Sequence, residues 1–240
     1  MCLRGLRLRV RLRRWRTVND ATARPDLSAP EPSRLLADWL RGPRSRALRR
    51  AGIGAREHVL EAGSGRGVVT AELQRRARGQ VVALDLDPAA LASGDYPDDA
   101  LRVAGDCCAL PFPDACFDLV FFQNVLMWIP DAARAVAEAT RTLRPGGALV
   151  AIEPDYGAMI EHPDLGLREL WMRGLSRSGA DPLVGRKLPG VCEAAGLDVW
   201  VELSHLPAEA EAQAVTLLEG LPLNADERAR ADEATEGVAG

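Results

Sequence analysis

The 240-residue chain has no window of about 18 consecutive apolar residues, so a membrane-spanning helix is not expected. Its five cysteines, Cys2, Cys107, Cys108, Cys116 and Cys192, form no CxxC pair and no disulfide framework. That pattern points to reduced thiols and a cytoplasmic setting. His58, His162 and His205 are scattered without ligand spacing, so no metal site is expected. A secretory signal needs an apolar stretch of roughly 7–15 residues after its first basic residues, and none follows the arginines of "MCLRGLRLRVRLRRWR". This leader is acid-poor like a transit peptide, yet it has no Ser before Ser28.

The apolar fraction of 47% and the charged fraction of 27% are ordinary for one α/β domain with a full core. The net charge of −4 conceals an asymmetry. Residues 1–50 carry 14 Arg against 4 acidic residues, and the remainder carries 16 basic against 30 acidic residues. The basic arm reads either as a solvated, disordered leader (or a start placed too far upstream) or as an arm that touches nucleic acid or an anionic surface. Residues 1–32 form this leader and a Pro-containing linker. "SRLLADWLRGPRSRALRRAG" then reads as two short helices broken at Gly42-Pro43.

From His58 onward, apolar runs alternate with helical patterns. "HVLEA", "VVALD", "LRVAG", "FDLVFFQ" and "ALVAIE" read as strands, and "VVTAELQRRA" and "DAARAVAEATRTL" as helices between them. Most of the strand runs are nearly continuous in apolar residues, as strands covered on both faces should be. The expected fold is α/β: a doubly wound, mostly parallel sheet with helices on both faces, in a domain spanning 33–205. After Glu153 a cap over 154–190 is expected, with helices at "LGLRELWMRGL" and "GRKLPGVCEAAG". "LDVWVEL" reads as a sixth strand, and 206–240 as a helical or frayed tail.

"VLEAGSGRGVVTAEL" sets Gly63, Gly65 and Gly67 between a strand and a helix. Glycine permits positive φ and close backbone approach, and a helix N-terminus offers free N–H groups. Such a turn suits a nucleotide-like or carboxylate-bearing ligand; the plainer reading is a tight strand-to-helix connection. Asp85 closes the second strand 18 residues after Gly67, where a carboxylate can accept from ribose hydroxyls. The spacing G-x-G-x-G departs from the G-x-G-x-x-G of dinucleotide enzymes, which disfavours a nicotinamide oxidoreductase.

Glu61 followed by Gly63, Gly65 and Gly67, Asp85 in "VVALDLDP", "VAGDCCALPFPDACFDLV" and "TLRPGGALVAIEP" together resemble the class I S-adenosylmethionine-dependent methyltransferases over roughly residues 55–205. The resemblance implies a Rossmann-like methyltransferase fold with S-adenosyl-L-methionine as cofactor. It implies that Glu61 holds the ammonium end directly or through water, that Leu86 packs on the adenine, and that Asp106 meets the exocyclic amine. Cys107 would contribute a backbone N–H, while Gln123 and Asn124 end the fourth strand at the crevice. The family's last antiparallel strand is expected to be missing or to lie past residue 240. Many members carry histidines where this chain has Met127 and Trp128.

A base is needed only if the acceptor must lose a proton; the candidates are Glu153, Asp155, Tyr156 and His162. Trp128, Met159, Trp171 and Met172 are candidate walls for a small organic acceptor, or else core residues of the cap. A non-catalytic cofactor-binding module is the competing reading. A nucleic-acid methyltransferase is disfavoured, because "QNVLM" replaces the Asn-Pro-Pro-aromatic or Asp-Pro-Pro-Tyr motif of the amino-methylating enzymes.

Overall fold

The computed structural model describes residues 30–161, 164–204, 217–218 and 220–238. The Arg-rich leader and His162 lie outside the described residues, as does most of the segment between 205 and 219. Five strands, β1 (His58–Ala62), β2 (Gln80–Asp85), β3 (Leu101–Ala104), β4 (Phe117–Gln123) and β5 (Leu143–Ile152), form one all-parallel sheet in the order β3-β2-β1-β4-β5. Each strand rises toward the same edge, and the chain reverses its direction of travel across the sheet between β1 and β4. That switch opens a crevice at the carboxyl ends of the strands.

Alternation along the strands sorts the core into two layers. Leu60, Val82, Leu84, Val120 and Phe122 face α5 (Ala132–Thr142), α6 (Leu167–Arg177) and α7 (Val184–Ala194), and pack with Val136, Leu170 and Leu188. Val59, Val81, Leu119 and Phe121 face the opposite way and pack with Ala37, Leu48 and Leu73. Those three come from α1 (Pro30–Trp39), α2 (Arg41–Arg50) and α3 (Thr70–Arg76). Because both faces are covered, the strands read as continuous apolar runs rather than alternating ones.

Four details differ from the sequence reading. The first two helices part at Leu40, not at Gly42-Pro43. Pro43 is the third residue of α2, where its missing N–H would have had no helical acceptor. Helix α1 begins at Pro30, so residues 30–32 belong to a helix and not to a linker. An additional short helix, α4 (Pro88–Ser93), follows β2; the Asp87 carboxylate accepts from the Ala89 N–H at 2.8 Å, with Pro88 at the first helical position. Asp-Pro in "LDLDPAALAS" is the sequence signal for that start.

The fourth is a correction: "LDVWVEL" pairs with no strand, and among the described residues no strand follows Ile152. Its apolar pattern is strand-like, but the segment runs beside α2 and is met by side chains. Arg46 Nε donates to Glu202 at 2.5 Å, and the Arg50 guanidinium lies 3.7 Å from the Trp200 ring centre. The last helix described is α8 (Ala225–Val238).

Arg44 of α2 is buried, 4% exposed, and its guanidinium ties three elements to its own helix. It donates to Glu72 of α3 (2.8 Å from Nε), to the Ala37 carbonyl of α1 (2.8 Å) and to Gln123 of β4 (3.1 Å). Glu72 also accepts from Arg76 at 2.8 Å, and the two arginines hold its carboxyl below the usual range against the cost of its burial. Replacing Arg44 by Ala leaves the half-buried Glu72 with Arg76 alone and takes the donor from the Ala37 carbonyl and from Gln123. We expect Arg44→Ala to cost about 3–5 kcal/mol in chemical denaturation. Arg41→Ala, which breaks the exposed Arg41–Asp38 pair, should cost about 0–1 kcal/mol.

Candidate cofactor and active site

The residues singled out in the sequence converge on the carboxyl edge of the sheet. The glycine turn leaves β1, Asp85 ends β2, Asp106 follows β3, Gln123 ends β4 and Glu153 follows β5. The turn is fastened to β2 by its backbone: the Gly63 and Ser64 N–H groups both donate to the Leu84 carbonyl, at 2.8 and 2.9 Å. The Asp85 carboxylate accepts from the Gly65 N–H at 2.7 Å and from the Asp87 N–H at 2.9 Å. Asp85 therefore braces the glycine turn against the turn that follows β2, and each oxygen retains a lone pair for a hydroxyl.

All three glycines have positive φ: 78° at Gly63, 55° at Gly65 and 82° at Gly67. They serve different ends. A Cβ at Gly63 would collide with the Val125 side chain, and one at Gly67 would lie 2.6–2.8 Å from the Tyr96 ring. Only the Gly65 position has open space around it. Two glycines thus admit the protein's own side chains, and the middle one faces the cradle. Neither contact was foreseen from the sequence, because Val125 and Tyr96 lie in distant turns.

Glu61 lies beneath the turn, 4% exposed, and accepts from the Thr70 hydroxyl at the start of α3. Burial pushes its carboxyl up to about 8, against the opposing effects of Thr70 and the nearby Arg44 charge. Leu86, the residue after β2, is an apolar side chain 45% exposed. Asp106 accepts from the Cys108 N–H at 2.8 Å. Cys107 is buried and its thiol is driven well above its ordinary range by burial. Gln123 is held by Arg44, and Asn124 adopts a φ of 54°, with its N–H on the Ile152 carbonyl at 3.0 Å.

The candidate bases have structural engagements. Glu153 accepts from the N–H groups of Val125 (2.8 Å), Leu126 (2.9 Å) and Met127 (3.3 Å). It shapes the single turn Leu126–Trp128, and burial raises its carboxyl to about 7. Asp155 caps the turn Tyr156–Ala158 through the Gly157 N–H and is paired with Arg186 at 2.9 Å. Tyr156 stacks on Trp171, with ring centres 5.0 Å apart at 19°, and burial raises its phenol above its ordinary range. Trp171 itself is 4% exposed and belongs to the core, whereas Trp128, Met159 and Met172 are half-buried.

The residues fit a nucleoside with a charged amino-acid tail. The open cradle at Gly65, the exposed Leu86 and the acids Asp85 and Asp106 supply backbone, an apolar face and acceptors in one crevice. These groups stand at the switch point of a doubly wound parallel sheet, the edge where open α/β sheets take their ligands. Residues 60–151 match the family described as "Methyltransferase domain". The sheet and its flanking helices form the Rossmann-like methyltransferase fold, and the family match covers residues 60–151 of the 240.

Over 100 residues it is 44% identical to malonyl-[acyl-carrier protein] O-methyltransferase of Dechloromonas aromatica, covering 40% of this chain and 37% of that one. Over 115 residues it is 39% identical to demethylmenaquinone methyltransferase of Mycobacterium marinum, covering 48% and 47%. The chain spans less than half the length of either relative. A solved S-adenosylmethionine-dependent methyltransferase from Mesorhizobium loti shares the fold, with a TM-score of 0.56 at 22% identity over 76% of this chain and 92% of that one.

Glu61 makes stability depend on pH. The unfolded chain ionises this group near 4.5, and the folded protein near 8. Its contribution is complete below pH 4.5 and is lost as the pH rises toward 8. Glu153 acts in the same direction up to about 7. Denaturation midpoints should therefore fall between pH 5 and pH 8.5, and Glu61→Gln, which keeps an acceptor for Thr70, should flatten that decline.

Proposed function

We propose that the protein transfers a methyl group from S-adenosyl-L-methionine to a small organic acceptor. The observation that carries the reading is the gathering of Glu61, the open Gly65 cradle, Asp85, Leu86 and Asp106 at the ends of three adjacent parallel strands. Asp85 holds the sugar, Leu86 lies on the ring, Asp106 takes the exocyclic amine, and Glu61 lies on the side of the ammonium group. The cofactor supplies an electrophilic methyl group bonded to a sulfonium. The protein's task is then to orient the acceptor and exclude water.

The two described carboxylates among the candidate bases are engaged, Glu153 with three amides and Asp155 with Arg186. That arrangement supports catalysis by orientation, since burial keeps the Tyr156 phenol protonated as well. Acceptor contacts fall to the half-buried Trp128, Met159 and Met172. The relatives are named for acceptors as different as malonyl-acyl-carrier protein and demethylmenaquinone, so the acceptor class is read from this crevice and not from them.

Asp85→Ala should weaken binding of S-adenosylhomocysteine by about 1.5–3 kcal/mol, the scale of hydrogen bonds involving a charged group. Titration calorimetry showing unchanged affinity would remove Asp85 from the sugar. In the same experiments Trp171→Ala should lower stability by about 3–5 kcal/mol, as truncation of a buried aromatic does, and leave cofactor affinity in the folded fraction intact. A variant that stays stable but loses turnover would make Trp171 an acceptor wall.

A further inference from the structure

The crossover between α4 and β3 reaches back over the glycine turn. Tyr96 lies in that crossover. Its hydroxyl is 2.6 Å from the Gly65 carbonyl and 2.9 Å from Ser64 Oγ. A phenol has one proton to give, and the carbonyl can only accept it. The Ser64 hydroxyl is therefore the donor of the second bond. Burial pushes the phenol up to about 12, so it stays protonated and donating across the physiological range.

The ring of Tyr96 fills the space that a side chain at Gly67 would need, and a Cβ at Gly94 would strike the same ring. Two further bonds join the same pair of segments. The Asp95 N–H donates to the Arg66 carbonyl at 2.9 Å, and Arg66 donates to Ser93 Oγ at 2.6 Å. The Arg102 guanidinium lies 5.6 Å from the centre of the Tyr96 ring. The crossover thus packs on the turn at Gly67, while Val125 packs on it at Gly63.

Each glycine gives the turn more backbone freedom to lose on ordering than any other residue would. A ligand that must order such a turn binds less tightly than one that meets it already ordered. Asp85 fixes the Gly65 N–H and Tyr96 fixes the Gly65 carbonyl, so both polar groups of the open glycine are set by side chains from outside the turn.

We infer that Tyr96 is a positioning residue: a latch that holds the glycine turn in its ligand-ready shape through the Gly65 carbonyl and Ser64. The inference rests on the proposed use of this turn for S-adenosylmethionine. Its action on the turn can be read without any ligand.

Two measurements on the full-length protein test it. In amide hydrogen exchange, Tyr96→Phe should speed exchange at Gly65, Gly67 and Asp95, while β1 and β4 keep their protection. A merely structural role would raise exchange in the core as well. In calorimetry with S-adenosylhomocysteine, Tyr96→Phe should weaken binding about tenfold, the scale of one or two lost hydrogen bonds. Ser64→Ala should weaken it less, and the double variant should be no worse than Tyr96→Phe alone, because both act through one hydroxyl. Unchanged exchange in the turn overturns the latch, and so does tighter binding by Tyr96→Phe, which would make the ring an obstruction. If the unsubstituted protein takes up no S-adenosylhomocysteine while exchange in the turn responds as stated, the cofactor reading fails and the latch on the turn stands.

Discussion

A layer of buried charge lies under the crevice, and the placement of the surrounding elements depends on it. Arg44 is the hub. A guanidinium out of water must have its donors met, and Glu72, the Ala37 carbonyl and Gln123 meet them from α3, α1 and β4. Glu72 and Glu61 both belong to the β1–α3 unit, and Glu61 binds Thr70 at the first turn of α3. The two N-terminal helices are thereby fixed against the end of the sheet where the ligand groups gather. Apolar packing alone would allow α2 to slide along α3; directed bonds to three elements do not.

The glycine turn shows how packing and ligand access divide one motif. Gly63 and Gly67 give room to Val125 and Tyr96, and Gly65 alone faces open space. The turn is therefore part of the protein's own interior on two sides. Its backbone is held by Leu84, Asp85 and Tyr96, so its polar groups are aimed before any ligand arrives. Substitution at the outer two glycines disturbs packing as well as backbone conformation, whereas substitution at Gly65 brings backbone strain and a filled cradle.

The carboxyl end of β5 follows the same economy. Glu153 gathers three successive amides and so builds the turn Leu126–Trp128, whose Met127 is buried in the core and whose Trp128 packs against it. Asp155, two residues on, joins that edge to α7 through Arg186. Residues whose type suggests proton transfer are here builders of the wall on which an acceptor would rest. Under the proposed function, transfer of a methyl from a sulfonium would ask mainly for alignment, which a wall held by ionic and backbone bonds would supply.

The sequence alone determined the sheet and its order of elements, because strands buried on both faces must be continuous apolar runs, and helices between parallel strands must carry one apolar stripe. It also placed Glu61, the three glycines, Asp85, Asp106 and Glu153 at the carboxyl edge of the sheet, since strand ends follow from strand assignments. Tertiary structure decided what no local pattern contains. It chose Arg44 out of the five arginines of α2, and it brought Tyr96 back over the turn. It spent Glu153 on three amides, buried Trp171, and left "LDVWVEL" beside a helix instead of in the sheet. Each of these depends on which distant group stands opposite. Propensity and periodicity describe a residue's neighbours in the chain, and these outcomes were set by its neighbours in space.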